Sequence, residues 1–199
     1  MRDVLLACPG GSLALPPKTL VLVDRKDGGN LVVHPPRDVW ERSELNATEL
    51  SAWAALVAAA GRAMIDTLPQ LDGGCINYWE AGNWALNVAA DPPGPKTAKT
   101  HRRVHMHLLG RSPHAASAAW RWGEAPAFPD FANRFRWAAT FERLTPAECW
   151  AIVERTRHLL VSRYAMPERD VMAGGRCDAC GYPTAPGASS LCGECAHPG

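Results

Sequence analysis

Residues 101–112 read HRRVHMHLLGRS, and three nitrogen-bearing side chains recur there at alternate positions: Arg103, His105 and His107. On a β-strand, alternation puts them on one face, with Val104, Met106 and Leu108 on the other. Neighbours in such a row stand about 7 Å apart, two residue rises. Three chemistries suit it. It can be a solvent-facing polar surface, where arginine and histidine are ordinary. It can be a metal site, since His-x-His on a strand can chelate zinc. Or it can hold a phosphate beside a nucleophilic imidazole, whose neutral nitrogen attacks well and later leaves well.

The second chemical signal lies at the C-terminus. CDACGYPTAPGASSLCGEC holds Cys177, Cys180, Cys192 and Cys195 as two Cys-x2-Cys pairs. Two close pairs let four thiolates reach one tetrahedral Zn2+, and four ligands leave no open position, so the metal is expected to be structural. Gly181 and Gly193 suit the tight turns between such ligands. A segment this short has no core of its own, so the metal would supply its stability. Arg176 is the basic residue at its start, and this poverty of cations argues against nucleic acid as a partner.

The elements that must position these groups are legible in outline. The chain has 199 residues, 47% hydrophobic and 21% charged, with a formal net charge of +1. That size allows one sizeable core and a small appendage. Near-neutrality excludes a global field for nucleic acid or an acidic membrane, so any phosphate chemistry must use a local basic cluster. No apolar run approaches the roughly 18 residues that span a membrane. LLAC at residues 5–8 looks like a lipoprotein cleavage box, but its apolar run is shorter than the roughly 7–15 residues of a signal peptide. Four cysteines grouped as for a metal, with Cys8, Cys75 and Cys149 scattered in apolar surroundings, fit a reducing compartment. The expectation is a cytoplasmic, unprocessed protein without membrane partners.

Two β-rich runs, 19–24 and 30–34, flank Asp27-Gly28-Gly29 and read as a hairpin. Asn46 with Glu49 makes a capping box for a helix whose apolar face carries Leu50, Trp53, Val57, Ala60, Met64 and Leu68. Pro69 ends it. Residues 75–80 and 84–88 read as strands joined at Ala81-Gly82-Asn83, and 103–109 as the next strand. Residues 112–144 show no clean period. Thr145, Pro146 and Glu148 start a second capped helix, and Pro167 closes it. Gly174-Gly175 reads as a joint. The expected fold class is α+β: an antiparallel sheet with two main helices over residues 1–171, then a four-cysteine zinc-ribbon tail over 172–199.

With Arg103 in the first place, RVHMHLL resembles the signature of the histidine triad (HIT) family of nucleotide hydrolases and transferases, three histidines alternating with apolar residues. The likeness extends over roughly residues 15–110. It implies a HIT-like nucleotide-binding domain, with His105 attacking the α-phosphorus of a nucleotide conjugate. A dinucleoside polyphosphate or a nucleoside phosphoramidate would be the substrate, and a nucleotidyl-histidine the intermediate. His107 would hold the phosphate or the tautomer of its neighbour. Arg103 departs from the pattern: arginine clamps phosphate but gives up no proton at neutral pH. His101, Arg102, Asn77, Asn87 and Ser112 are candidates for substrate contact, with Glu80, Asn83 and His114 behind them. The aromatic stretch 120–141 reads as core, dimer surface or base-stacking cover. Members of the family often dimerise, and that resemblance alone is what points to a homodimer. The other reading is a catalytically impaired binding module whose zinc ribbon is a partner surface.

Overall fold

A computed structural model describes residues 3–171, 174–184 and 195. Strands β1 (Asp3–Cys8), β2 (Gly11–Leu15), β3 (Asn30–His34), β4 (Cys75–Ala81) and β5 (His105–Arg111) form one antiparallel sheet in the order β1-β2-β3-β5-β4. The helices are α1 (Ala47–Thr67), α2 (Ala98–His101), α3 (Arg134–Ala138) and α4 (Pro146–Ser162). The α+β class with an antiparallel sheet and two long helices is therefore as expected.

Both long helices begin as the sequence predicts. The Asn46 side chain accepts from Glu49 N–H at 3.0 Å while Glu49 accepts from Asn46 N–H at 2.9 Å. Thr145 and Glu148 repeat the reciprocal cap on α4, with Pro146 at the first helical position. Each such cap satisfies two amide donors that a helix start otherwise leaves orphaned. Trp53, Leu56, Ala60 and Met64 of α1 and Ile152, Val153 and Leu160 of α4 are buried in one cluster with Leu6, Leu13, Leu31, Val33 and Leu108 of the sheet. At about 1.5–3 kcal/mol per large apolar side chain, this cluster dominates the fold.

Three expected strands differ. Residues 19–24 are not a strand; a 3-10 turn at Lys18–Leu20 leads into an extended cover in which Leu22 and Val23 are buried. The hairpin partner of β3 is β2, with Leu13 opposite Val33. β2 is in turn paired to β1, so LLAC belongs to the first strand of an N-terminal hairpin. Residues 84–88 are not a strand either, since Gly82 (φ +135°) starts a 3-10 turn at Asn83–Leu86. The motif strand starts at His105, not at Arg103, and runs on to Arg111. Short apolar runs suit a strand or a buried cover equally, and periodicity alone does not separate them.

The aperiodic stretch 112–144 is the outer cover of the sheet. It is held by polar anchors rather than by a repeat. The buried Asp27 carboxylate accepts from the backbone of Ala116 at 2.7 Å and Ser117 at 3.2 Å. Arg111 donates to the carbonyls of Arg121 and Glu124, both at 2.8 Å, and Trp120 Nε1 donates to Gly110 O at 2.6 Å. Beneath it Leu22, Val23, Leu109 and Trp120 make a second buried cluster. β5 is therefore covered on both faces.

Gly28 and Gly110 set the closest approach in this layer. A Cβ on Gly110 would overlap the Gly28 carbonyl, which is backbone and does not yield. Gly110→Ala is expected to destabilise the protein by about 2–3 kcal/mol. Urea unfolding should show a lower midpoint at unchanged slope, and an unchanged midpoint would show that the layer gives way.

Candidate functional site

A cavity of about 490 Å3 lies between the outer face of the sheet and its cover. That is within the range of small-molecule sites. His34, His101, Arg103, His105 and His107 all line it, against Leu20, Leu22, Trp79 and Trp84. The pleat explains the convergence. His107 is paired with Val32 of β3 on one side and Trp79 of β4 on the other, so the rows of three strands meet on one face.

His105 and His107 point to the cavity as alternation requires, and their ring centroids are 5.0 Å apart. His105 Nδ1 lies 3.0 Å from the Arg103 carbonyl. A carbonyl only accepts, so Nδ1 carries a proton. His107 is held the opposite way. Asn30 Oδ1 accepts from Leu22 N–H at 3.1 Å, and Nδ2 donates to Leu31 O at 3.1 Å, which assigns the amide's orientation. Asn30 Nδ2 then faces His107 Nδ1 at 3.4 Å, making that nitrogen the acceptor and Nε2 the protonated one. The His107 ring also stacks on Trp79 at 5.5 Å. Burial, with repulsion from His105 and His34, pushes His107 down to about 3.

Arg103 and His101 reach the cavity from outside the strand. Arg103 is exposed, and its Nη1 donates to Arg102 O at 2.6 Å and Lys99 O at 3.4 Å. His101 ends α2, with Nδ1 at 3.1 Å from Thr97 O. Arg102 turns the other way and pairs with Glu41 at 3.0 Å and Glu80 at 3.6 Å. Asn77 sits on β4 opposite Leu109, two residues before Trp79. Asn87 accepts from Ala89 N–H at 2.9 Å. Ser112 is buried, and its hydroxyl accepts from His114 N–H at 3.1 Å. Arg102, Asn77, Asn87 and Ser112 are thus outside the cavity lining, whereas Asn83 is part of it. Sequence reasoning missed His34 and Asn30. Neither belongs to a local motif; the trace available was their spacing on the predicted strand 30–34, which puts both on one face.

The cysteine signal is partly visible. Sγ atoms of Cys177, Cys180 and Cys195 all lie within 4.8 Å of one another, a group able to hold a metal ion; Cys192 lies outside the described residues. Among the described residues this is the one group of three or more His, Cys, Asp or Glu that close, so the cavity histidines do not form a second. Cys177 N–H donates to Tyr182 O at 2.8 Å and Gly181 N–H to Cys177 O at 2.9 Å, closing a knuckle at Gly181 (φ +76°). The knuckle is docked on the body. Tyr182 donates to Leu144 O at 2.7 Å, and Trp150 Nε1 to Gly181 O at 3.0 Å. Among the described residues, the part of the segment that follows Gly174-Gly175 is therefore docked at Gly181 and Tyr182. No helix among the described residues is long and apolar enough to cross a membrane.

Comparison with protein-family models, with curated proteins and with solved structures gives no match.

Because burial lowers the folded-state value of His107 below its ordinary 6.5, the unfolded chain binds the proton more readily. Stability is fully present above about pH 6.5 and falls as pH drops toward about 3. NMR should show the His107 ring neutral from pH 5 to 8, and His107→Gln should flatten the acid limb of stability. A His107 signal titrating near pH 6.5 would overturn this.

Proposed function

We propose that the protein is a HIT-like nucleotide hydrolase or nucleotidyltransferase acting at the α-phosphate through a nucleotidyl-histidine intermediate. The observation that carries the reading is the Arg103 carbonyl at 3.0 Å from His105 Nδ1, inside a cavity that also presents Arg103 and a neutral His107. With Nδ1 protonated, Nε2 would be the attacking nitrogen. The P–N bond forms as the bond to the leaving group breaks, and water or another acceptor then takes the nucleotidyl group. His107 Nε2–H would donate to a phosphoryl oxygen, and the Arg103 guanidinium would stabilise charge that builds there. The apolar side of the cavity suits a base or another flat group.

His105→Ala is expected to abolish turnover of adenylated phosphoramidates and dinucleoside polyphosphates while nucleotide still binds. Arg103→Ala should lower kcat/KM by about 10²–10³, and Arg103→Lys by less, because it keeps charge and loses the fork. Steady-state rates check both. Equal rates for wild type and His105→Ala would remove His105 as nucleophile, and an inert wild type would favour the binding module.

The metal we propose at the cysteine cluster is zinc, held by Cys177, Cys180 and Cys195 with Cys192 as fourth ligand. A thiolate set of this spacing selects zinc or iron over hard cations, and a closed set of four thiolates serves structure. Elemental analysis should find about one zinc per chain. Since Trp150 ties the knuckle to α4 and Tyr182 ties it to Leu144, chelation should lower the melting temperature of the whole protein. A metal-free protein with four titratable thiols would sink the proposal.

A further inference from the structure

Departure of an amine or an alkoxide from phosphorus needs a proton at the leaving atom, and Arg103 cannot give one at neutral pH. His105 is the nucleophile in the reading above. His107 is neutral at physiological pH and bound through Nδ1 to Asn30. His101 has Nδ1 at 3.1 Å from both the nitrogen and the oxygen of Thr97. One more imidazole lines the cavity, His34.

His34 is the last residue of β3, one past the paired Val33 and Met106, so it stands beside His105 on the cavity face. Its other side is paired to Ser12 of β2, which fixes the backbone that carries it. The His34 and His105 rings are 5.6 Å apart and tilted by 44°. His105 thus has His107 as one ring neighbour and His34 as another. A leaving group in line with His105 and on the His34 side would meet that imidazole.

We propose that His34 is the general acid and base of the site, acting on nucleotide conjugates whose leaving atom must be protonated, amine nitrogen first among them. The inference rests on His105 being the nucleophile. In the first half-reaction the His105 Nε2–P bond forms and the P–N bond to the amine breaks. Its electron pair stays on nitrogen, and the His34 imidazolium gives that nitrogen its proton. In the second half-reaction water attacks phosphorus and gives a proton to neutral His34. The P–Nε2 bond breaks and its pair returns to His105. The products are a nucleoside monophosphate and the amine, with His34 protonated again and no further reactant needed.

Two adenosine 5′-monophosphate derivatives test this: an alkyl phosphoramidate, and the p-nitrophenyl ester, whose phenolate leaves without a proton. Single-turnover rates of both are measured on the full chain and on His34→Gln and His34→Asn. The readout is the ratio of the two rates in one preparation, which does not depend on the fraction folded. The ratio of phosphoramidate to ester is expected to fall by at least about 100-fold in the variants, the usual worth of a general acid. An unchanged ratio overturns the role of His34. Labelling of His105 by the ester is followed in the wild type by mass spectrometry. Absence of that label overturns the nucleophile itself and His34 with it, whereas a label with an unchanged ratio overturns His34 alone.

Discussion

The Asn30 side chain is the junction on which the cavity depends. It is buried in β3 and engages three partners: Leu22 N–H at 3.1 Å, Leu31 O at 3.1 Å and His107 Nδ1 at 3.4 Å. Leu22 belongs to the extended cover, Leu31 to the sheet and His107 to the motif strand. One amide therefore straps the cover to the sheet and sets which nitrogen of His107 carries the proton. An apolar residue there would leave the Leu22 amide unsatisfied in a buried layer, at a cost of about 1–3 kcal/mol. The extended cover would then lose that strap and keep its bond from Trp137 Nε1 to the Leu22 carbonyl at 3.1 Å.

Charge in the cavity follows from the same layering. Deep in the layer, burial and the neighbouring imidazoles keep His107 neutral. Toward solvent stands the exposed guanidinium of Arg103, a cation at any physiological pH. A ligand with an anionic and an apolar end would meet a cation at Arg103 and apolar surface at Leu22, Trp79 and Trp84. The low net charge of the chain supplies no such direction, so the local arrangement has to.

Much of this is legible in the sequence alone. The two capping boxes, at Asn46 and Thr145, are short-range patterns with one physical solution, and both helices start there. Alternation in VHMHLL puts His105 and His107 on one face, as the structure has them, because a period of two survives any register. What misleads are runs whose neighbours decide their state. Residues 19–24 have the composition of a strand, yet β2 takes the pairing edge of β3, and the run becomes a cover. Arg103 lies two residues before the strand that alternation extends to it. It reaches the cavity all the same, from the turn after α2. His34 and Asn30 are invisible as site residues because their partners are 71 and 77 positions away, and only sheet register brings them together.

The cysteine knuckle and the cavity use different layers of the molecule. Tyr182 packs against the cluster that joins α1, α4 and the inner face of the sheet, whereas the cavity borders the outer cluster around Leu22 and Trp120. The described cysteines Cys177, Cys180 and Cys195 are not among the residues that line the cavity. The link between the two is short: Tyr182 donates to the Leu144 carbonyl, and a Cβ on Gly29 would come within 2.6 Å of Leu144 Cδ2. Gly29 precedes Asn30. The knuckle thus packs, through Leu144, behind the backbone from which Asn30 reaches His107.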